Sequence, residues 1–301
     1  MRPTAVFFLY LSLCLALAAL LTYPVMAIGW LHQPPHRVMG RLAQIFILLG
    51  LWPFLRALGL NRWAALGYGV PRPRFMRSLW RGWLLGLAIL AVLAVTELVL
   101  GIRIPDSLAA GDIPRLFAKA LQALVGGLLV GLLEETFFRG ALFTAIRRGG
   151  GALSAVAWTA ALYALLHFMK PGTLPDHLPF DWAAAWHMFA GVYTDAFEWK
   201  NLDSMAALFL VGVFLALVRE RTGHIGWCVG LHSGWVFVIQ VTRHLTDGNP
   251  ASPYAFLAGS YDGMIGWLAA GWIGLLALGF PLFDRVRRGA SPDPVDPGEA
   301  T

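Results

Sequence analysis

The sequence predicts an all-α protein, a polytopic transmembrane helix bundle of about eight spans. Of its 301 residues, 58% are hydrophobic and only 13% are charged, and the mean hydropathy is +0.64. A soluble domain usually carries about 25% charged residues. Apolar runs of about 18 or more residues, long enough to cross the hydrocarbon core, recur along the chain. Such runs cross lipid as helices, because a helix satisfies its own backbone hydrogen bonds.

The eight predicted spans follow one another through mostly short connections. They cover about residues 5–30, 41–60, 82–102, 116–146, 153–169, 204–218, 225–241 and 264–286. The first run is longer than the apolar core of a signal peptide and similar runs follow it, so we expect a retained first helix. We expect residues 1–288 to form a single integral membrane domain, with a motif-bearing core at about 116–241. Residues 289–301, rich in Pro, Asp and Gly, are expected to form a disordered cytoplasmic tail.

The longest connection, residues 170–203, lies between the fifth and sixth spans. It mixes aromatic side chains such as Trp182 and Trp199 with acidic ones such as Asp181 and Glu198. This composition is typical of a segment that lies at the membrane interface. We therefore expect one or two short interfacial helices there.

Charge distribution predicts the orientation. With the N-terminus inside, the cytoplasmic loops hold 13 Lys and Arg residues and the outer loops hold 8. Because basic loops favour the cytoplasm, we expect both termini there. Frequent Arg, Trp and Pro favour a multi-pass protein of the bacterial inner (plasma) membrane. The net charge of +6 comes from short Arg clusters between spans, so nucleic acid is not an expected partner.

The fourth span carries three ionisable residues, Glu134, Glu135 and Arg139. Each such group costs at least about 2.5–3.5 kcal/mol in a bilayer and therefore indicates a function or a partner. Glu135 and Arg139 are four residues apart, on one face of a helix, so we expect them to form a structural pair. Glu134 points about 100° away from that pair and is the carboxylate free for chemistry.

Two histidines lie at a depth similar to that of Glu134. His167 is in the fifth span and His232 is in the seventh, and all three residues stand roughly 12–21 Å above the inner interface. A carboxylate in an apolar pocket suits a general base, and histidines can transfer protons or donate to an oxyanion. Glu134, His167 and His232 are also a set that binds one divalent ion such as zinc. Both routes would activate water for hydrolysis of an amide.

Glycines flank both polar positions at four-residue spacing. Gly127 and Gly131 precede Glu134, and Gly226, Gly230 and Gly234 surround His232. Small residues at this spacing let helix backbones approach closely in lipid. Close approach is what would bring the polar groups together. The two cysteines, at positions 14 and 228, lie in apolar segments and are expected to be packing residues.

Three short motifs resemble those of a known family. They are Glu134-Glu135-x-x-x-Arg139, Tyr163-x-x-x-His167, and His232 within Gly-Leu-His-Ser-Gly-Trp. In order and spacing they resemble the motifs of the CAAX-protease and bacteriocin-processing (CPBP, or Abi) family of intramembrane proteases, over about residues 116–240. The resemblance implies that Glu134 activates water, that Glu135 and Arg139 are structural, and that His167 and His232 complete the site. Members of that family trim prenylated CAAX proteins or are linked to bacteriocin immunity.

Two positions depart from the family pattern. Tyr163 stands where Phe is usual, which is a mild change. Val236 stands four residues after His232, where the family usually has Asn or Asp to help hold an oxyanion or metal. Gln240, one turn further along, is a possible oxyanion substitute.

The function that these residues and the family resemblance together imply is that of an intramembrane endopeptidase of the CPBP type, which is a hydrolase dependent on glutamate and histidine. It would cut a peptide bond in a membrane-embedded or lipidated substrate that enters laterally, with membrane lipid as its other partner. One alternative is a catalytically inactive scaffold for a membrane partner, which Val236 favours. Another is a proton-coupled transporter, since intramembrane Glu and His also form proton relays. The lack of a detectable repeat argues against that alternative.

Overall fold

The computed structural model describes residues 2–30, 32–106, 113–174, 179–259 and 261–289, and side chains as far as residue 280. Nine α-helices lie in these ranges: α1 (Arg2–Ala27), α2 (Pro35–Ala57), α3 (Arg72–Val99), α4 (Ile113–Glu135), α5 (Phe143–Phe168), α6 (Trp182–Asp195), α7 (Leu202–Thr222), α8 (Gly226–Leu245) and α9 (Trp267–Gly289). A π-helix, Thr136–Leu142, joins α4 to α5. The two short strands β1 (Arg103–Pro105) and β2 (Thr246–Gly248) pair antiparallel. The predicted all-α membrane bundle is confirmed. The predicted tail lies outside the described residues from position 290 onward.

Five helical segments of the described chain are long and apolar enough to cross a membrane. They are Arg2–Ala27, Pro35–Ala57, Arg72–Val99, Ile113–Phe168 and Trp199–Thr222. The fourth of these has 56 residues and contains both the fourth and the fifth predicted span. The helix is interrupted between these two spans at Gly151, whose φ of 78° is a conformation that favours glycine.

The seventh predicted span corresponds to α8, which is less apolar than those five segments. It contains His232, Gln240 and three glycines. It packs most extensively on α3 and α4, and most residues of its first half are buried. Because protein rather than lipid surrounds that half, α8 tolerates polar groups that a lipid-facing helix would not.

The connection between α5 and α7 contains α6 and a short 3₁₀ turn at Trp199–Asn201, in agreement with the predicted short helices. Asp181 caps α6, since its Oδ1 accepts a hydrogen bond from the backbone N of Ala184 at 2.8 Å. The apolar face of α6 packs on α1, and Met188 lies in one hydrophobic cluster with Leu15 of α1 and Met39 of α2. Position at the membrane interface stays a prediction.

Glycines let α8 fit tightly between its neighbours. A Cβ added at Gly86 on α3 would lie 2.5 Å from the carbonyl oxygen of Leu231, and one at Gly234 on α8 would lie 2.6 Å from that of Trp83. On the other side, a Cβ at Gly127 on α4 would lie 2.9 Å from the carbonyl oxygen of Ser233. Real Cβ atoms do not approach backbone so closely, so each helix pair depends on the missing side chain.

Substitution of Gly86 by Ala tests this packing. We expect Gly86→Ala to push α3 away from α8 and to lower the free energy of unfolding by about 1–3 kcal/mol, the usual cost of overpacking. Thermal unfolding of the purified protein in detergent would measure the effect. The matched control is Gly271→Ala in α9, where a Cβ has nothing within 4 Å, and which should be as stable as the unchanged protein or slightly more so. Equal stability of both variants would contradict the close packing.

Candidate active site

Three helices bring the three predicted catalytic residues together. Oε2 of Glu134, on the last turn of α4, lies 3.9 Å from Nε2 of His167 on α5 and 3.9 Å from Nε2 of His232 on α8. These distances exceed direct hydrogen bonds and match a gap that one small group can bridge. The side chain of Glu134 is 32% exposed, that of His167 is 18% and that of His232 is 6%. Glu134 is therefore the most accessible of the three.

Each imidazole is held in one orientation by a protein acceptor. Nδ1 of His167 lies 2.8 Å from the carbonyl oxygen of Tyr163, and Nδ1 of His232 lies 2.9 Å from Oε1 of Glu135. A carbonyl and an ionised carboxylate can only accept, so Nδ1 of each ring carries the proton. In the neutral rings, both Nε2 atoms then present lone pairs toward Glu134. Three acceptors thus face one gap, and the group that bridges them must supply protons or positive charge.

The predicted pair of Glu135 and Arg139 is present and fully buried. Nη1 of Arg139 donates to Oε1 of Glu135 at 2.9 Å, and neither side chain is exposed. Nη2 of Arg139 donates to the carbonyl oxygen of Gly212 on α7 at 3.3 Å. The guanidinium also lies over the ring of Tyr163, at 4.5 Å from its centroid, which is a favourable cation–π geometry. The pair thereby connects α4 and the π-helix to α5 and α7.

Sequence reasoning missed the second role of Glu135. Its Oε1 accepts from both Arg139 and His232, so one carboxylate neutralises the arginine and orients the histidine. A carboxylate behind a functional histidine is a common arrangement, because it fixes the tautomer and stabilises positive charge on the ring. The sequence signal for this second role was the adjacent pair Glu134 and Glu135. It was missed because Glu135 was already assigned as the partner of Arg139.

The π-helix lies directly after these glutamates. Its wider turn is marked by the backbone N of Phe143, which donates to the carbonyl oxygen of Phe138, five residues back. Short π-helical segments occur often at functional sites, since they shift which side chains face inward. Here the segment begins at Thr136, immediately after Glu134 and Glu135.

The structure does not bring Gln240 to this group of residues. Gln240 is exposed and lies beside Gly126 of α4, where an added Cβ would be 4.0 Å from its Nε2. It stands eight residues after His232, which corresponds to about 12 Å along the helix and about 80° around it. Val236 faces Gly127. The described structure thus shows no contact between Gln240 and these residues, and its role as a substitute for the family Asn stays a prediction.

The donor spacing bears on the possible metal site at Glu134, His167 and His232. Among the residues that the structure describes, no group of three or more His, Cys, Asp or Glu side chains has a geometry that holds a metal ion. Ligands of one zinc ion, at 2.0–2.2 Å from it, lie roughly 3.3–3.6 Å from one another. Here Oε2 of Glu134 is 3.9 Å from each imidazole nitrogen. The donor set suits a cation in its chemistry, but its spacing is too wide for one zinc ion at these positions.

Residues 116–238 match the family model described as Rce1-like: Type II CAAX prenyl endopeptidase Rce1-like. The matched segment runs from α4 into α8 and contains all three motifs. The resemblance that the motifs predict is thereby confirmed for this segment, which is a little under half of the chain. No curated protein and no solved structure shows a significant match to the chain.

The buried pair can be tested by changing one partner and then both. We expect Arg139→Gln to reduce the yield of folded protein, because the carboxylate of Glu135 stays buried with less compensation, at a cost of about 3–5 kcal/mol. The double variant Glu135→Gln, Arg139→Gln removes both charges and should recover part of that loss. The monodisperse fraction after size exclusion and the melting temperature would report both effects. A double variant less stable than Arg139→Gln would contradict a compensating pair.

Proposed function

We propose that this protein is an intramembrane endopeptidase that hydrolyses a peptide bond in a membrane-embedded or lipidated substrate. The family match over residues 116–238 is the premise. The observation that supports the proposal best is the position of Oε2 of Glu134, which lies 3.9 Å from Nε2 of both His167 and His232. A general base needs such a position, within reach of a water and beside groups that can orient it.

In the proposed reaction, Glu134 is the general base. One hydrogen of a water points to Oε2 of Glu134 and the other to Nε2 of His167, which directs an oxygen lone pair at the substrate carbonyl carbon. As the carbon–oxygen bond forms, Glu134 takes the first proton. Glu134 then delivers that proton to the amide nitrogen as the carbon–nitrogen bond breaks. The products are a carboxylic acid and an amine, and Glu134 is again ionised.

His232 is proposed to stabilise the negative charge that develops on the carbonyl oxygen of the substrate. Its Nδ1 donates to Glu135, and that carboxylate stabilises a proton on Nε2 of the same ring. A protonated His232 would donate to the oxyanion in a site with little water, where such a bond is worth far more than in bulk solvent. Glu135 thus positions His232 without contact with the substrate.

An apolar groove between α1 and α5 supports lateral entry of the substrate. The groove encloses about 370 Å³ and is lined by Thr4, Ala5, Phe8, Trp158, Ala161, Leu162 and Leu165. Leu162 and Leu165 flank the turn of α5 that carries Tyr163 and leads to His167. A hydrophobic segment or a lipid chain in this groove would lie next to the helix that holds one catalytic histidine.

An inactive scaffold is the second candidate. It is favoured by Val236, which faces Gly127 and has no polar group where the family has Asn. The two candidates differ in whether Glu134 is needed for cleavage, and the following experiment separates them.

We expect Glu134→Gln to abolish hydrolysis while the protein folds normally. Loss of a general base typically lowers the rate by about 10²–10⁴, and the side chain is part-exposed, so little packing is lost. The measurement is mass spectrometry of new peptide termini in membranes that contain either the unchanged protein or the variant. Glu198→Gln is a matched control, because Glu198 pairs with Lys200 in the connection before α7. Full turnover by Glu134→Gln would refute this mechanism, whereas no new termini with the unchanged protein would support the scaffold.

A further inference from the structure

A lysine and a tyrosine lie together at the end of α5, beside the candidate active site. Nζ of Lys170 donates to the hydroxyl oxygen of Tyr261 at 2.7 Å. The ring of Tyr261 packs on α5, with its centroid 6.2 Å from that of His167 and 5.1 Å from that of Phe168. Neither Lys170 nor Tyr261 belongs to the three sequence motifs.

Three hydrogen bonds hold the loop that carries Tyr261. Oδ1 of Asp262 accepts from the backbone N of Met264 at 2.9 Å and of Ile265 at 2.7 Å. The buried side chain of Arg103, the first residue of β1, donates to the carbonyl oxygen of Gly263 at 3.0 Å. Arg103 is itself held by Thr246 of β2. Tyr261 is therefore attached to a preformed support, which a catalytic donor requires.

The direction of the hydrogen bond between Lys170 and Tyr261 leaves the hydroxyl proton of Tyr261 available. An ammonium group has donors only, so the hydroxyl oxygen of Tyr261 must be the acceptor. Its own proton is then free to be donated elsewhere, and the described residues offer it no acceptor. A positive charge bound to the oxygen also makes the O–H a stronger donor.

The charge of Glu134 affects the pKa of both Lys170 and Tyr261. Burial, Asp262 and Glu134 together raise the pKa of Tyr261 to about 12, so the phenol keeps its proton at all ordinary pH values. Burial lowers the pKa of Lys170 below its usual value, and the carboxylates of Asp262 and Glu134 oppose that shift. The pair thus lies within electrostatic range of the proposed general base.

We propose that Tyr261 donates a hydrogen bond to the carbonyl oxygen of the substrate as it becomes an oxyanion, and that Lys170 is the positioning residue that holds and polarises the hydroxyl. The inference rests on the proposed peptide hydrolysis. No proton is transferred in this step, since the phenol only donates a hydrogen bond while Glu134 carries the proton of the attacking water. Tyr261 would work beside His232, at a site where Val236 and Gln240 supply no donor.

The first test compares Tyr261→Phe with Tyr254→Phe. Tyr261→Phe keeps the ring that packs on His167 and Phe168 and removes only the hydroxyl, whereas Tyr254 is exposed in the preceding turn. The readout is the rate at which Glu134-dependent new termini form in membranes. We expect a loss of about 10²–10³ for Tyr261→Phe, typical of a missing oxyanion donor, with the melting temperature and the rate of Tyr254→Phe unchanged.

The second test uses the pH profile, which a merely structural contact would not move. Lys170 is bonded to Tyr261, and the other charged or titratable groups that act electrostatically on the pair are Glu134, Asp262, His167 and Arg243. Because the pKa of Lys170 is lowered, cleavage should decline at a pH below the usual range of lysine ionisation. Lys170→Arg should keep most activity and shift that decline to higher pH, whereas Lys170→Met should lose about tenfold at neutral pH and show no such decline. Lys119→Met, on α4, is the matched control.

The outcomes separate this inference from the proposed function. If Tyr261→Phe cleaves at the normal rate while Glu134→Gln does not, the role of Tyr261 is overturned and the peptidase remains. If Tyr261→Phe has a lower melting temperature but a normal cleavage rate, the contact between Lys170 and Tyr261 only stabilises the fold. If the cleavage rate declines at the same alkaline pH in the unchanged protein and in Lys170→Arg, the role of Lys170 is overturned. If the unchanged protein forms no Glu134-dependent termini, the proposed function itself fails and this inference falls with it.

Discussion

The candidate site depends on one fully buried carboxylate. Oε1 of Glu135 receives a guanidinium hydrogen from Arg139 and an imidazole hydrogen from His232, each at 2.9 Å. A buried charge costs several kcal/mol unless it is well paired, and these two hydrogen bonds compensate the charge of Glu135. The bond that stabilises the fold is therefore also the bond that directs His232 toward Glu134.

Such a bond across α4 and α8 requires helices in close contact. Gly127 on α4 lies against Ser233, and Gly234 on α8 lies against Trp83 of α3, with no room for a side chain at either glycine. These contacts place α8 between two helices and away from lipid. Its polar residues are then surrounded by protein partners, which explains how a helix of only moderate hydropathy takes its place in the bundle. The more apolar α1 and α2 expose much of their surface instead.

Much of the fold follows from properties that are local in the sequence. Long apolar runs specify the helices, and the four-residue spacing of Glu135 and Arg139 specifies their pair. Convergence of Glu134, His167 and His232 could be expected from their similar depth, since helices in a membrane have a defined rise per residue. Their catalytic roles stay predictions, because geometry alone does not measure turnover.

Other features depend on contacts between distant segments. The bond from His232 to Glu135 joins residues 97 positions apart, and Tyr261 lies in an irregular loop that has no periodic pattern to follow. The π-helix changes the register after Glu135 by an amount that no local propensity encodes. The position of Gln240 shows a related limit. Successive four-residue steps drift by about 40° each, so a position two turns away no longer shares the face of His232.

Exposure of the three central residues indicates the direction from which a substrate can arrive. It falls from 32% at Glu134 to 18% at His167 and 6% at His232, so the site is closed on the side of α8 and accessible on the side of α4 and α5. Oε2 of Glu134 is nevertheless enclosed and has no hydrogen-bond partner among the described groups. An acceptor in this position favours a proton donor that enters from the open side. In the proposed mechanism, water delivered to Oε2 would satisfy this acceptor and stand where attack on a carbonyl begins.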